Sequence, residues 1–220
     1  MASLSTPQIV GVIFTPADLR HALRMRNPPD LFELRLDALG TGNELSDAID
    51  GLPAPLIITA RHPREGGSNR LPARERRALL MRFLPCAAYV DIELRAAATL
   101  SAILEKARAQ GIRTILSCHD FQETPSRTRL DAMAERAESM GADILKIVTR
   151  TDTRAELTTL LDFFLRQRAQ LKIAAMGVGR FGRNARLEFA RRGSVLNYAH
   201  LGKPQIQGQL SMKELRRVLR

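Results

Sequence analysis

The chain has 220 residues, enough to bury a substantial core as a single domain. Hydrophobic residues make up 45% and charged residues 26%, which indicates a globular protein and excludes a fibrous or disordered one. No apolar run approaches the ~20 residues of a membrane-spanning helix, and the N-terminus lacks the basic and apolar regions of a secretion signal. We therefore expect a cytoplasmic protein without a membrane partner, in which residues 1–7 form a flexible tail before a folded domain of residues 8–220.

The net charge of +11 raises the question of a polyanionic partner. The 29 Arg and 5 Lys are spread along the chain and are locally dense only in residues 74–77, 180–192 and 216–220. There is no Trp, and the two Tyr are not interleaved with basic residues as on a base-stacking surface. We therefore expect no nucleic acid partner; the charge favours steering of a small anionic substrate. The cysteines, Cys86 and Cys118, show no metal-ligand spacing, so we expect reduced thiols and no metal.

Short apolar runs alternate with amphipathic stretches along the whole chain. Strands are predicted over residues 8–14, 31–36, 55–60, 88–94, 113–117, 144–148, 171–176 and 195–199. Helices are predicted over residues 16–25, 44–49, 72–83, 96–110, 126–140, 154–168, 183–192 and 211–220. Eight strand–helix units predict a parallel sheet closed into a single-domain (β/α)8 TIM barrel, with a doubly wound open sheet as the alternative. In a barrel, polar residues at the carboxyl ends of the strands share one mouth.

Lys146 lies inside the apolar run of residues 141–148, in a chain that otherwise prefers arginine. Burial disfavours a charged ammonium and favours the neutral amine. A neutral lysine can attack a ketone and form a Schiff base, which arginine cannot do. The structural alternative is a lysine whose head reaches water or pairs with a carboxylate.

Several other predicted strands end in charged residues. Glu33, Arg35 and Asp37 alternate along the second strand, which predicts that all three side chains point to one face. Arg61 ends the third strand, where its guanidinium can hold a carboxylate in a bidentate contact. A buried ion network that only stabilises the fold is the alternative, above all for Asp37.

The fourth and fifth strands continue this pattern. Asp91 and Glu93 share one face of the fourth strand, and His119 lies at the end of the fifth, where a barrel places a catalytic histidine. Cys118 points to the opposite face, which argues against a Cys–His nucleophile. Residues 202–209 are rich in glycine and polar side chains and resemble a lid over the mouth.

Five motifs, read in order, resemble those of type I 3-dehydroquinate dehydratases, and the resemblance runs from residue 32 to residue 209. The motifs are Glu33-Leu34-Arg35-Leu36-Asp37, Thr59-Ala60-Arg61 through Glu65-Gly66-Gly67, Asp91-Ile92-Glu93, Ser117-Cys118-His119-Asp120-Phe121 with Thr124-Pro125, and Lys146 in its strand. The match is looser near the C-terminus, where Gln205 stands in place of a serine and 206–209 reads Ile-Gln-Gly-Gln instead of Ala-Pro-Gly-Gln.

The resemblance implies an enzyme of the shikimate pathway, and so of aromatic amino-acid biosynthesis, that converts 3-dehydroquinate to 3-dehydroshikimate and water. It implies that Lys146 forms the Schiff base, that His119 is the general acid–base and that Glu65 orients His119. The substrate-binding residues that it implies are Glu33, Arg35, Arg61, Arg186, Gln205 and Gln209. It also implies a homodimer without metal or organic cofactor.

Three other interpretations stay open from the sequence. Another Schiff-base barrel, such as a class I aldolase, would share the buried lysine but cleave a carbon–carbon bond. A basic module could bind polyanions without catalysis. Because the family also occurs fused to a shikimate dehydrogenase domain, the chain could be part of a larger polypeptide; its basic C-terminal helix without a linker favours a stand-alone enzyme.

Overall fold

A computed structural model describes residues 6–40, 43–68 and 71–219 and contains a parallel sheet that curls into a barrel. The strands are β1 (Gln8–Ile13), β2 (Leu31–Arg35), β3 (Leu56–Thr59), β4 (Tyr89–Glu93), β5 (Arg113–Asp120), β6 (Ile144–Arg150), β7 (Ile173–Val178), β8 (Leu196–His200) and β9 (Leu210–Ser211). Their order is β7-β6-β5-β4-β3-β2-β1-β8-β9. The Val195 N–H donates to the Ile173 carbonyl at 3.0 Å and joins the two ends of the sheet. The barrel prediction is confirmed, whereas residues 1–5 of the predicted tail lie outside the described residues.

Helices surround the sheet and follow the predicted order. They are α1 (Pro16–Ala22), α2 (Leu36–Leu39), α3 (Asn43–Ile49), α4 (Ala73–Phe83), α5 (Ser101–Ala109), α6 (Arg127–Ser139), α7 (Arg154–Gln167), α8 (Gly182–Arg191) and α9 (Met212–Leu219). Thr15 caps α1 in a capping box with Asp18, and this fixes the predicted start of the helix. None of the helices in the described ranges is long and apolar enough to span a bilayer.

Among the predicted boundaries that differ from the structure, two differ for clear local reasons. The helix predicted over residues 96–110 begins only at Ser101, because the chain first makes a 3-10 turn, Leu94–Ala96, directly after β4. Asp37 does not continue β2, as the alternating pattern predicted, but lies in the one-turn helix α2. It therefore shares no strand face with Glu33 and Arg35.

The register of β5 and β6 brings two polar rows to the carboxyl end of the barrel. Both strands extend beyond their predicted ends, and Ser117 pairs with Lys146 while His119 pairs with Val148. Alternation places Ser117 and His119 on the same face as Ile115, which belongs to the apolar cluster inside the barrel. The polar side chains therefore lie directly above an apolar floor.

A buried ion pair ties α4 to the top of β4. Arg76 and Glu93 are 4% and 1% exposed, and their charged atoms approach to 2.5 Å. Arg76 also donates through Nε to the Ala60 carbonyl, at 2.8 Å. Breaking a buried pair leaves one charge without a partner, which costs more than the pair contributes.

We expect Arg76→Met to lower the free energy of unfolding by about 3 kcal/mol, because Glu93 would be buried without its cation. Urea unfolding followed by circular dichroism measures the change. The matched control is Arg74→Met, an exposed position on the same helix, which should change the free energy by less than about 0.5 kcal/mol. Equal stability of both variants would contradict a structural role for the pair.

Candidate active site

A cavity of about 340 Å³ opens at the carboxyl ends of the strands. Every residue predicted for the site lines it: Glu33, Arg35, Arg61, Glu65, His119, Lys146, Arg186, Gln205 and Gln209. These side chains come from four strands or their ends, one helix and the segment after β8. The structure thus brings together residues that are far apart in the sequence. Apolar side chains complete the wall, among them Val12, Phe14 and Met176.

Lys146 lies at the bottom of this cavity and is 4% exposed. Its Nζ lies 3.0 Å from Glu33 Oε1 and 3.0 Å from Asp91 Oδ2. The ring of Tyr198 packs against it, with Nζ 3.9 Å from the ring centroid. The sequence left a neutral buried amine and a carboxylate-paired lysine as alternatives; the structure buries Lys146 and also pairs it with two carboxylates. A proton must therefore leave Nζ before the amine can attack a carbonyl carbon.

Asp91 joins Lys146 to a second buried cation beneath the cavity. Arg61 donates through Nη2 to Asp91 Oδ2 at 2.6 Å and through Nη1 to Ser117 Oγ at 2.5 Å. Ser117 in turn donates to Asp91 Oδ1 at 2.6 Å. Burial alone would raise the pKa of Asp91, but the charges of Arg61 and Lys146 outweigh burial and hold that pKa far below its usual range. Asp91 is therefore a permanent anion at the base of the site.

Arg61 therefore makes buried contacts within the protein that the sequence did not predict. Burial acts to lower its pKa, but the nearby carboxylates of Asp91 and Glu93 raise that pKa above the ordinary value. Although the residue lines the cavity, two of its guanidinium nitrogens already hold Asp91 and Ser117. Its clearest contribution is to the charge balance beneath Lys146.

His119, in β5, and Glu65, in the loop after β3, form a pair that lines the cavity. His119 Nδ1 lies 3.0 Å from Glu65 Oε2, and the same oxygen accepts the His119 backbone N–H at 3.1 Å. Burial, with the positive charges of Arg61 and Lys146, lowers the pKa of His119 well below its usual value. The ring is therefore neutral near pH 7. A proton on Nδ1 that is donated to the Glu65 carboxylate leaves Nε2 free to accept another.

The loop that carries Glu65 is held in place by hydrogen bonds to Asp37 and Arg35. Asp37 accepts the backbone N–H groups of Arg61 and Ser68, and Arg35 binds Asp37 through two nitrogens at 3.0 and 2.8 Å. Arg35 also donates to the Gly66 carbonyl at 2.9 Å. Gly66 has a φ of +84°, which favours glycine. Asp37 thus has the structural role that the sequence left open, and Arg35 both lines the cavity and holds the loop.

Arg186 differs from the other buried cations. It is 6% exposed on α8, and its Nε donates to the Gly177 carbonyl at 3.1 Å. No carboxylate in the described part of the chain lies within ion-pair distance. Burial lowers the pKa of Arg186 to about 10, so the group stays charged at neutral pH. A buried, unpaired guanidinium facing a cavity is an anion site.

The segment predicted as a lid closes one side of the cavity. Gln205 and Ile206 line it together with Gln209. The Gln209 side-chain oxygen accepts the Gln205 backbone N–H at 2.8 Å, so this contact folds the segment back on itself. The amide nitrogen of Gln209 remains as a donor for a ligand.

Two features of the site were not found from the sequence. Tyr198 carries a buried hydroxyl without a hydrogen-bond partner among the described residues. Arg95 contacts Glu65 but lies outside every motif, so its place depends on tertiary structure alone. Within residues 6–40, 43–68 and 71–219, no group of three or more His, Cys, Asp or Glu side chains is arranged to hold a metal ion.

An α/β barrel with converging polar side chains at the carboxyl ends of its strands defines a barrel enzyme. A sequence model of the family described as Type I 3-dehydroquinase matches residues 15–220. A 3-dehydroquinate dehydratase from Pyrococcus abyssi is 33% identical over 192 residues, which cover 87% of this chain and 86% of that protein. The chain therefore belongs to the type I 3-dehydroquinase family.

Solved structures agree with this assignment. The 3-dehydroquinate dehydratase from Enterococcus faecalis superposes with a TM-score of 0.83 at 28% identity and covers 98% of this chain and 93% of its own. The type I 3-dehydroquinate dehydratase from Clostridium difficile gives a TM-score of 0.87 at 23% identity, with coverage of 98% and 91%, and supports the fold.

Proposed function

We propose that the cavity removes water from 3-dehydroquinate through a Schiff base on Lys146, with His119 as the acid–base. Membership of the family makes the chain a 3-dehydroquinate dehydratase, a hydro-lyase of the shikimate pathway. The observation that carries the residue assignment is the convergence of a buried lysine, a His–Glu pair and an unpaired buried arginine around one cavity. The lysine suits the ring ketone of this substrate, the His–Glu pair suits its C–H bond and departing hydroxyl, and the arginine suits its carboxylate.

The covalent step begins with the ring ketone of the substrate. Nζ of Lys146 attacks the ketone carbon, and loss of water gives an imine. Glu33 contacts Nζ and lines the cavity, so it is placed to take the ammonium proton; Asp91 stays ionised beneath them. Protonation of the imine makes an electron sink that acidifies the adjacent C–H bond. Neither a metal nor an organic cofactor is needed for this electron flow.

Proton transfer then falls to His119. Nε2 removes the proton next to the iminium carbon, and the resulting enamine expels the hydroxyl group one carbon further along the ring. Nε2 then gives this proton to the departing hydroxyl, so water leaves. The imidazole ring of His119 is neutral again. Glu65 holds the proton on Nδ1 throughout and fixes the tautomer, as the carboxylate does in a catalytic triad. Hydrolysis of the imine releases 3-dehydroshikimate.

The remaining polar groups surround the ring. Arg186 pairs with the substrate carboxylate, the one anionic group of 3-dehydroquinate, and Arg35, Gln205 and Gln209 contact it or the ring hydroxyls, while Arg61 lines the cavity beside them. Tyr198 contributes a hydroxyl that has no partner within the described residues. From the family resemblance we further propose a homodimer in solution, which light scattering would test by a mass of two chains.

The test of this proposal is intact-mass analysis after borohydride reduction, with and without 3-dehydroquinate. Reduction converts an imine to a stable amine, so a substrate-dependent mass gain that maps to Lys146 is expected. Formation of the conjugated ketone of 3-dehydroshikimate, followed by ultraviolet absorbance, is the parallel measurement of turnover. Folded protein that gives neither an adduct nor product would overturn the proposal, and a panel of aldol substrates would then test the aldolase alternative.

We expect Arg186→Gln to raise KM about 30-fold with a smaller change in kcat, because a charge-assisted contact to the substrate carboxylate is lost. Steady-state kinetics over a range of 3-dehydroquinate concentrations measure both constants. Arg191→Gln, an exposed position at the end of the same helix, is the matched control and should keep the wild-type KM. An unchanged KM for Arg186→Gln would contradict the carboxylate assignment.

A further inference from the structure

A second groove, of about 460 Å³, lies on the far side of the Glu65–His119 pair. Glu65 and His119 line both this groove and the catalytic cavity, whereas Arg95 lines only the groove. Arg95 belongs to the 3-10 turn Leu94–Ala96 that follows β4. It therefore reaches the catalytic pair from the groove and does not itself line the catalytic cavity.

The two oxygens of the Glu65 carboxylate have different partners. Nε of Arg95 lies 2.9 Å from Oε1, and His119 uses Oε2 through both its backbone N–H and Nδ1. A carboxylate held at both oxygens cannot rotate about its terminal torsion without losing a contact. Arg95 thus fixes the direction in which Oε2 faces the imidazole ring.

His62 holds the Arg95 side chain in place, although 41% of that side chain is exposed. Nη2 of Arg95 lies 2.6 Å from His62 Nδ1, which also accepts the Arg64 backbone N–H at 3.1 Å. Because both partners are donors, Nδ1 of His62 is the acceptor and carries no proton. The His62 backbone N–H is anchored to Glu93 at 2.6 Å. The Arg95 guanidinium is therefore held, through His62, by Glu93 at the end of β4.

We propose that Arg95 is a positioning residue for the dehydration: it orients the Glu65 carboxylate, so that Glu65 holds the proton on His119 Nδ1 and leaves Nε2 free as the base. This inference rests on the roles proposed above for Glu65 and His119. Arg95 itself contacts Glu65 but does not line the catalytic cavity.

The charges around Glu65 decide in which direction its pKa changes when Arg95 is removed. Arg61 faces Glu65 from the end of β3, Glu93 from β4, Arg95 from the turn after β4 and His119 from β5. Burial raises the pKa of Glu65 to about 7 and Glu93 adds to this rise, whereas Arg61 and Arg95 lower the pKa. Loss of Arg95 therefore raises it further. A protonated Glu65 no longer carries the negative charge that stabilises the imidazolium formed when Nε2 takes a proton, so on the acid side activity would begin to fall at a higher pH.

The experiment compares the pH profiles of kcat, at saturating 3-dehydroquinate, for wild type, Arg95→Gln, Arg95→Lys and Arg64→Gln. Arg95→Gln should move the acid limb upward by about one pH unit, so that kcat at about pH 6 falls roughly five-fold to ten-fold while kcat at about pH 9 hardly changes. Arg95→Lys keeps the charge and should recover most of the shift. Arg64→Gln removes the same charge from the same groove, at a side chain that forms no ion pair with the Glu65 carboxylate, and should keep the wild-type profile.

Two outcomes would overturn the inference: an acid limb that does not move in Arg95→Gln, or an equal movement in Arg64→Gln, which would show a general surface-charge effect. A second measurement does not need Arg95→Gln, in case that variant fails to fold. Raising the salt concentration from about 0.05 to about 0.5 M screens the partly exposed Arg95 and should raise the acid limb in wild type and in Arg64→Gln; no movement would also overturn the inference. Wild-type turnover and borohydride trapping report separately on the proposed function.

Discussion

Lys146→Ala is expected to lower kcat by about 10⁴-fold or more and to give no adduct with 3-dehydroquinate and borohydride. Knockout of a covalent nucleophile removes the reaction path itself, so the loss is of the size found for nucleophiles in other enzymes. The other described residues that line the cavity include no second lysine. Product formation and the intact mass of the reduced protein, measured on the same samples, test both expectations.

The control for this variant has to separate chemistry from folding. Removing Lys146 leaves Glu33 and Asp91 without their shared cation in a buried site, which itself destabilises the protein. Lys146→Arg keeps the positive charge but cannot form an imine, so it should be inactive and better folded. Lys172→Ala, at an exposed lysine before β7, should keep both turnover and adduct. An adduct that persists in Lys146→Ala would reject the assignment of the Schiff base.

The sequence predicted the architecture of the site because charged residues in apolar strands are rare. Lys146 and Glu33 each stand out within a buried run, and a barrel brings the ends of all its strands to one mouth whatever their separation along the chain. The loop residue Glu65 was assigned by resemblance, and the structure places it beside His119. The parallel order and the closure of the sheet followed from the alternation of strands and helices.

The sequence could not show which residue pairs with each charged side chain. Asp37 was placed on a strand face by alternation, but the chain turns into a one-turn helix and uses the carboxylate to hold the Glu65 loop. Arg61 carries the residue type of a ligand-binding group, yet its guanidinium is committed to Asp91 and Ser117. In a chain with 29 arginines, composition gives no reason to single out Arg95. Which arginine meets which carboxylate is decided by tertiary packing.

The buried charges form a connected arrangement that explains why the site tolerates them. Lys146 and Arg61 share Asp91, and Arg76 shares Glu93 with the backbone of His62. Each anion thus has a cation or backbone donor within hydrogen-bond distance, which offsets the cost of its burial. Among the buried cations in the described part of the chain, Arg186 has no carboxylate partner. The carboxylate of an anionic substrate would supply one.

His119→Ala should separate the two halves of the reaction. The imine still forms, because Lys146 remains, but the C–H bond next to it is no longer broken by a general base. We expect kcat to fall by about 10³-fold, within the usual range for removal of an acid–base group. The measurements are turnover by ultraviolet absorbance and the fraction of protein that carries a borohydride-reduced adduct. His21→Ala, at an exposed histidine on α1, is the matched control and should leave both unchanged.

The adduct yield gives this variant its diagnostic value. In wild type the imine is consumed by proton removal, whereas in His119→Ala it accumulates, so the trapped fraction should equal or exceed that of wild type while product formation nearly stops. If His119 also shuttles protons as the imine forms, the adduct will appear more slowly but reach the same final fraction. Near-normal turnover would reject His119 as the base. Loss of both turnover and adduct would instead assign His119 to imine formation, since Lys146 alone would then be unable to attack the ketone.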